Sequence, residues 1–455
     1  MEQILFFIIL VLILLFIPRI IKDPKIGLLF LLFSLPFERI GAIDIFGMTL
    51  RVSQVLVIIL GAIYVWRFIK KGNISIMNEI KKDPFWMPLF LYILAAFVSI
   101  GVAVNLKRAI SVFIFISFVI FTYELVIRLF DNKKILEKVE KVLFWTTFGV
   151  AIFGIYQFIG DIVGLPNWVT GLRYEYTKIV FGFPRIQSTA LEPLYFANFL
   201  LIPLGLFSSL FLNRAELKLE KVDKKYLLLL LLIGINIVLS LSRGAFFASA
   251  VIIATVIIFT IRKIKWHRLL SYFGIVILAI IISLGAVKLT TTNSKKDNAK
   301  TFIKHSTEIT DGGSYNQRAR GISFGIEAFK SSPIIGIGIG NFGPWRANYP
   351  EETPSTGWDI PNNEIVEIAA ETGSLGLLAF ITFILLLFIR SIKAILKSNG
   401  FQRAFTLGLF SVVLGFVVQY QAFSTLYIMH VWVTLGLLVG LQNLIFSENN
   451  YPLNE

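Results

Sequence analysis

The feature that most constrains this chain is its series of apolar runs, many of them close to the length of a membrane span. They fall near residues 3–17, 26–48, 53–67, 85–104, 109–127, 142–164, 190–212, 226–241, 244–261, 269–287, 373–389, 404–421 and 425–446. Hydrophobic residues make up 56% of the 455 positions, and a soluble domain with a polar surface would not carry that share. The runs predict an all-α polytopic membrane bundle of about 12–13 transmembrane helices. A break at Pro36 within the second run is left open.

Basic residues are concentrated in every second loop between these runs. The chain has a net charge of +15, and residues 67–83 and 262–268 are two of its basic loops. Cytoplasmic loops of membrane proteins collect Lys and Arg, so these loops are predicted to be cytoplasmic and no nucleic-acid partner is expected. The C-terminus is then cytoplasmic, and the long polar stretch 289–363 lies outside, in the periplasm or extracellular space.

Several kinds of chemistry are excluded by what the sequence lacks. It has no cysteine, and its three histidines (His267, His305 and His430) do not have the spacing of a metal site. The glycine-rich segment "GIGIGNFG" (336–343) is not followed by the Lys-Ser/Thr of a phosphate-binding loop, so we interpret its glycines as packing residues. The sequence therefore predicts no metal, no cofactor and no ATP-driven step.

Four arginines lie away from the basic loops, outside or near the predicted outer boundary of the membrane: Arg185, Arg243, Arg318 and Arg320. The first three are the predicted clamp residues. Arg243 is the sharpest case, because it separates two apolar runs and an unpaired charge within the membrane costs about 2.5–3.5 kcal/mol. A guanidinium offers paired donors that match phosphate oxygens. Arginines that converge from separate segments would form a pyrophosphate clamp. Snorkelling, or pairing with a nearby glutamate, is the alternative.

Three glutamates in "IPNNEIVEIAAETGSLG" (360–376) would share one stripe of a helix, because Glu364, Glu367 and Glu371 are spaced i, i+3 and i+7. We expect this stripe to face an outer cavity together with the arginines. A solvated helix face is the alternative.

These motifs resemble a known family. "NQRARGISFGIEAFKSSPIIGIGIGNF" (316–342), followed by "NNEIVEIAAETGSLG" (362–376), resembles the hallmark region of the O-antigen ligase and O-antigen polymerase family. The matching positions are Arg318, Pro333, Gly336, Gly338, Gly340, Asn341, Phe342, Asn363, Glu371, Gly373 and Gly376. The segments that begin at Arg185 and Arg243 also resemble family elements, so the resemblance covers about residues 180–390. The N-terminal half contributes only hydrophobic segments to it.

The resemblance implies a metal-independent membrane glycosyltransferase of the large polytopic type, resident in the inner or plasma membrane with its active site on the outer face. Such enzymes take a glycan from an undecaprenyl-pyrophosphate-linked oligosaccharide. Ligases pass it to lipid A-core, whereas polymerases pass it to another lipid-linked glycan. The resemblance further implies that the arginines hold the pyrophosphate, that no cofactor is needed, and that other polysaccharide-assembly membrane proteins are candidate partners.

One departure from the family pattern favours the polymerase branch. Asn362 stands where the family has a histidine, and an amide cannot accept a proton as an imidazole does. A carboxylate whose pKa is lifted by partial burial can take that role. Glu192, next to Pro193, is the first candidate, either as base or in ordering an arginine. Glu364, Glu367 and Glu371 are the other candidates, and Asn362 occupies the catalytic position of the family histidine. Glu371 is predicted to be structural, capping backbone amides or pairing with Arg318.

Two further expectations complete the prediction. A flippase or transporter for lipid-linked glycans is the alternative from another functional class. Such carriers usually consist of two repeated halves, and no internal repeat is visible in the sequence. The chain is expected to divide into N-terminal helices (1–180), helices with the Arg185 and Arg243 motifs (181–288), an external loop (289–363) and C-terminal helices (364–455).

Overall fold

The computed structural model describes residues 2–38, 42–45, 48–70, 83–130, 132–213, 223–262, 264–290, 298–307, 313–348, 359–424 and 426–450. In chain order its helices are α1 (Glu2–Lys22), α2 (Pro24–Ser34), α3 (Val52–Lys70), α4 (Trp86–Ser99), α5 (Leu106–Leu129), α6 (Lys134–Ile162), α7 (Asn167–Thr170), α8 (Lys178–Phe181), α9 (Pro193–Leu212), α10 (Asp223–Ser240), α11 (Arg243–Thr260), α12 (Trp266–Leu289), α13 (Asn298–Thr307), α14 (Gly313–Ser331), α15 (Phe342–Arg346), α16 (Glu364–Lys397), α17 (Gly400–Gln419) and α18 (Met429–Asn450). Short 3₁₀ turns occur at Ile100–Val102 and Tyr174–Tyr176, and two strands, β1 (Ala42–Ile45) and β2 (Met48–Arg51), form an antiparallel hairpin.

The membrane bundle predicted from the sequence is confirmed. Within the described ranges, nine helices are long and apolar enough to cross a bilayer: α3, α5, α6, α9, α11, α12, α16, α17 and α18. The remaining predicted segments contain α1, α10 and the shorter apolar helices α2 and α4. Each of the thirteen apolar runs therefore contains a helix, because a backbone in lipid must satisfy its hydrogen bonds within its own segment.

The second predicted span is broken near Pro36, the alternative that the sequence left open. The run 26–48 is not one helix, because α2 ends at Ser34 and the chain continues into the β1–β2 hairpin. Pro36 has no N–H to continue the helical hydrogen bonds, and the charged Glu38 follows it. This break ends the helix four residues before Glu38.

The centre of the bundle is α9, in which 89% of the residues of its membrane-spanning stretch are buried. It packs against α10, α11 and α17. Gly205 of α9 and Gly408 of α17 lie at the crossing, where a Cβ on Gly408 would be 2.8 Å from the Cα of Leu206. Small residues let membrane helices approach closely. The crossing fixes the N-terminus of α9, and with it Glu192, relative to the helices around it.

Long connections meet at one end of the bundle, which we call the site face. Thr189 Oγ1 donates to the carbonyl of Pro36 at 2.7 Å, and the backbone N–H of Asn105 donates to Asn341 Oδ1 at 2.6 Å. These bonds join segments that are distant in sequence. The predicted external loop 289–363 belongs to this face where it is described, while residues 291–297, 308–312 and 349–358 of it lie outside the described residues. The four predicted sequence divisions stay predictions.

Candidate functional site

Arg185 is held against the C-terminal end of α10. Its Nε and Nη2 both donate to the carbonyl of Ser240, at 3.3 and 3.2 Å. Its guanidinium carbon lies 5.2 Å from the ring centroid of Phe181 and 5.9 Å from that of Tyr176. A helix C-terminus and aromatic faces both favour a cation. The positive charge is therefore fixed in place at the site face.

Arg243 is the predicted clamp arginine whose charge acts on the other two, Arg185 and Arg318. It begins α11, directly after Ser242. Burial lowers the pKa of Arg185, and the nearby Arg243 charge lowers it further. Burial also lowers the pKa of Arg318 on α14, again with a further lowering by Arg243. The structure thus brings the guanidinium groups of Arg185 and Arg318, from two other segments, within electrostatic reach of Arg243, and repulsion of this kind is relieved by a bound anion.

Glu192 stands beside the arginines at the N-terminus of α9. Burial raises the pKa of Glu192, Arg173 and Arg185 oppose that rise, and the charge of Glu38 adds to it. The sequence interpretation placed Glu192 near Arg185, and the structure brings the two together. Arg173 and Glu38 are additional neighbours that the motif reading did not select.

A buried polar chain, which sequence reasoning missed, adjoins this cluster. His430 is 1% exposed; its Nε2 lies 2.5 Å from Asn198 Oδ1, and its Nδ1 lies 3.5 Å from Glu38 Oε1. Asn198 Nδ2 in turn donates to Gln419 Oε1 at 2.6 Å. The available signal was weak: a single glutamate after a proline break and a single histidine at the start of an apolar run.

The three glutamates of the predicted stripe face one small cavity and differ in their hydrogen bonds. Glu371 is buried, and its Oε2 and Oε1 accept from the backbone N–H groups of Gly340 at 2.7 Å and Phe342 at 3.1 Å. Glu364, Glu367 and Glu371 all border a cavity of about 20 Å³. The arginine that acts on Glu367 and Glu371 is Arg108, which the sequence analysis did not select.

Two glycines explain how the glycine-rich segment docks on α16. Gly373 has φ +66° and interrupts α16, and Gly336 has φ +76°. A Cβ on Gly336 would overlap the backbone of Glu371, and a Cβ on Gly373 would overlap the carbonyl of Ile334. The backbone N–H of Ser374 donates to the carbonyl of Pro333 at 2.8 Å. The remaining motif glycines Gly338 and Gly376 also lie in close contacts.

The two asparagines before α16 have different surroundings. Asn363 is the N-cap, since its Oδ1 accepts from the Val366 N–H at 3.1 Å. Asn362 has φ +56°, and its Nδ2 donates to the carbonyl of Ile360 at 3.3 Å. Its amide thus bonds within its own turn.

No group of three or more His, Cys, Asp or Glu side chains that could hold a metal occurs in the described part of the chain. Independence of metal remains a prediction from the sequence.

Comparison with known families gives one match. Residues 228–381 match the family model described as O-antigen ligase. The matched region contains Arg243, Arg318, Asn362 and Glu371, and it confirms the family resemblance over these motifs, while the segment that begins at Arg185 lies outside it. Among curated proteins, none matches the chain.

Proposed function

We propose, from the O-antigen ligase family domain that the chain contains at residues 228–381, that this membrane protein polymerises a surface polysaccharide. The family acts in membrane glycan transfer of the ligase or polymerase type. The proposed donor is an undecaprenyl-pyrophosphate-linked oligosaccharide, and the proposed acceptor is a second lipid-linked glycan. The observation that carries this proposal is the convergence of Arg185, Arg243 and Arg318 at the site face.

The three arginines suit the leaving group of such a transfer. When the sugar leaves its carrier, negative charge develops on the diphosphate, and fixed cationic donors stabilise it. Arg185 is already oriented by Ser240 and by two aromatic rings. The donors therefore need little rearrangement when the diphosphate forms.

An apolar groove beside Arg243 suits the lipid part of the donor. The groove has a volume of about 430 Å³ and lies between α9, α10, α11 and α12, with α13 at its edge. Phe246 and Ala250 of α11 line it, one and two turns along from Arg243. A polyprenyl chain in this groove would place its pyrophosphate near the arginines. We propose the groove as the donor lipid site.

The polymerase reading has support from a second apolar groove. This groove, of about 310 Å³, lies between α16, α17 and α18, and Glu364 and Gln421 stand at its polar end. A polymerase needs a site for a second lipid-linked glycan, and this groove offers an apolar surface for part of that polyprenyl chain. Asn362, in place of the family histidine, supports the same choice. The ligase activity, with lipid A-core as acceptor, is the second candidate.

The test is transfer by the purified protein in proteoliposomes that contain a defined undecaprenyl pyrophosphate oligosaccharide. A polymerase gives a ladder of lengthening products, and a ligase gives one product on added lipid A-core. Movement of unchanged substrate between leaflets, without either product, would indicate a flippase.

Arg243→Ala provides the residue-level test. Loss of one charge-assisted phosphate contact costs about 1.5–3 kcal/mol, which lowers the transfer rate by about 10- to 150-fold. Arg262→Ala, at the opposite end of α11 and exposed, is the matched control. Equal rates for the two variants would contradict the clamp.

A further inference from the structure

We propose that Glu38, oriented by His430, is the general base that takes the proton of the attacking acceptor hydroxyl. This inference rests on the proposed transferase function and adds a residue from the N-terminal part of the chain. Glu38 and His430 both lie outside the matched region 228–381.

The backbone around Glu38 is fixed on both sides. The carbonyl of Pro36 accepts from Thr189 Oγ1 at 2.7 Å, which ties this turn to the loop that carries Arg185. Arg51 Nε donates to the backbone carbonyl of Glu38 at 3.1 Å. The carboxyl group is therefore held at the site face by contacts that do not use its oxygens.

The imidazole of His430 faces one of the two carboxylate oxygens of Glu38, Oε1. The imidazole is buried between Phe199 and Phe416, with ring centroids 6.0 and 6.4 Å away, so it cannot turn freely. Its two nitrogens face Asn198 and Glu38 Oε1. As the side-chain amides are placed, Nε2 donates to Asn198. If Asn198 and its partner amide are both reversed, Nε2 accepts and Nδ1 must carry the proton. In the reversed arrangement the Nδ1 proton lies toward Oε1, whereas with the amides as placed a proton lies there only in the cationic imidazole. The orienting role of His430 therefore requires the reversed arrangement.

The second oxygen of Glu38 is left for substrate. Oε2 is buried and makes no hydrogen bond to any described residue. Buried polar atoms normally have a partner, so an orphaned carboxylate oxygen is a position at which a donor such as a hydroxyl would be stabilised. Glu367 Oε2 is orphaned in the same way, so the nearby arginines, and not the orphaned oxygen alone, distinguish Glu38. The charge of Glu38 acts on Glu192, which adjoins Arg185, so the orphaned oxygen belongs to a carboxyl group close to the arginine cluster.

Glu38 suits the role of base better than Glu192 because their neighbours differ. Glu192 has the guanidinium groups of Arg173 and Arg185 beside it, so its carboxyl group is engaged with those charges, although burial raises its pKa on balance. The side chain of Glu38 faces His430, while Arg51 reaches only its backbone carbonyl. We therefore assign the ordering of the arginines to Glu192 and the proton to Glu38.

The step balances without further reagents. The acceptor hydroxyl oxygen bonds to the anomeric carbon as the bond from that carbon to the pyrophosphate oxygen breaks. The bonding electron pair leaves with undecaprenyl pyrophosphate, and the hydroxyl proton passes to Glu38 Oε2 and then to water.

The test compares Glu38→Gln, Glu38→Asp and His430→Gln in single-turnover transfer with saturating donor in proteoliposomes. Glu38→Gln should lower the transfer rate about 10²- to 10⁴-fold, the usual contribution of a positioned base, with donor affinity retained. Glu38→Asp should keep part of the rate. Glu140→Gln is the control, because Glu140 is also buried and accepts from Tyr226 at 3.0 Å, away from the site face.

His430→Gln tests the positioning role through the pH–rate profile. The groups that face Glu38 are His430 from α18, Glu192 from the turn before α9 and Arg51 from β2. Removing the imidazole changes the group that faces Glu38 Oε1, so the acid limb of the profile should move. A purely structural histidine would lower the rate equally at every pH.

The outcomes separate this inference from the proposed function. Transfer by Glu38→Gln within threefold of Glu140→Gln would overturn Glu38 as base, while a normal wild-type ladder would leave the polymerase standing. No product from the wild type would overturn the polymerase itself. If Glu38→Gln is misfolded, the pH–rate profile of His430→Gln is the deciding measurement. An acid limb at the same pH as in the wild type would overturn Glu38 as the base.

Discussion

Glu371→Gln is the perturbation that separates a structural glutamate from a catalytic one. The carboxylate accepts two backbone N–H bonds, from Gly340 at 2.7 Å and from Phe342 at 3.1 Å. Glutamine keeps one acceptor oxygen, so one bond is lost and a buried backbone donor faces a side-chain NH₂. A buried hydrogen bond contributes about 0.5–1.5 kcal/mol, and an unsatisfied buried donor costs about 1–3 kcal/mol. The two figures describe partly the same lost hydrogen bond, so they do not simply add. We expect the free energy of unfolding to fall by about 2–4 kcal/mol.

The assay is denaturant unfolding of the purified protein in detergent, with transfer activity measured on the same samples. Glu327→Gln is the matched control, because Glu327 lies exposed on α14. We expect this variant to unfold like the wild type. If Glu371→Gln unfolds at the wild-type denaturant concentration and yet transfers no glycan, Glu371 acts in the chemistry and the capping argument is refuted.

Three further predictions concern other parts of the molecule. Gly373→Ala should destabilise the protein by more than about 1 kcal/mol, because alanine is strained at φ +66° and its Cβ meets the Ile334 carbonyl; a thermal melt that matches the wild type would contradict this. Arg185→Lys keeps the charge but loses the paired donors, so the KM for the lipid-linked donor should rise about tenfold; an unchanged KM would remove Arg185 from the clamp. Burial, and then the charge of a neighbouring carboxylate, raise the pKa of Asp83 to about 8, so the proton is bound more tightly in the folded state. The stability of the wild type relative to Asp83→Asn should therefore fall as pH rises from about 4 to about 8. The variant is a suitable reference because asparagine keeps an acceptor for the Tyr123 hydroxyl but cannot ionise. A stability difference that does not change with pH would refute this prediction.

The sequence indicated some of the candidate site because charge is conspicuous near a membrane. Arg243 could be selected without a structure, since a charge between two apolar runs is costly and needs a reason. Glycines and a proline at fixed spacing likewise predicted close packing around Glu371, and the structure has Gly336 and Gly373 in contact there. The capping of backbone amides by Glu371 was one of the two structural roles proposed for it.

The sequence could not supply the partners of these residues. Arg108, Glu38 and His430 each stand in otherwise ordinary surroundings, and nothing in their spacing links them to the glutamates or to the arginines. Their partners come from other helices, so the relevant distances depend on how the helices pack.

The amino-acid sequence by itself determined that this chain is a helical membrane bundle with arginines at its loop-bearing end, because long apolar runs and isolated charges have few stable alternatives in lipid. Only the tertiary structure decided which polar groups meet. The α9–α17 crossing and the break after α2 bring Asn198, Glu38 and His430 into one buried chain. The physical reason is that membrane helices pack through small residues and shape. The register of that packing, and hence the set of buried polar contacts, is a property of the assembled bundle.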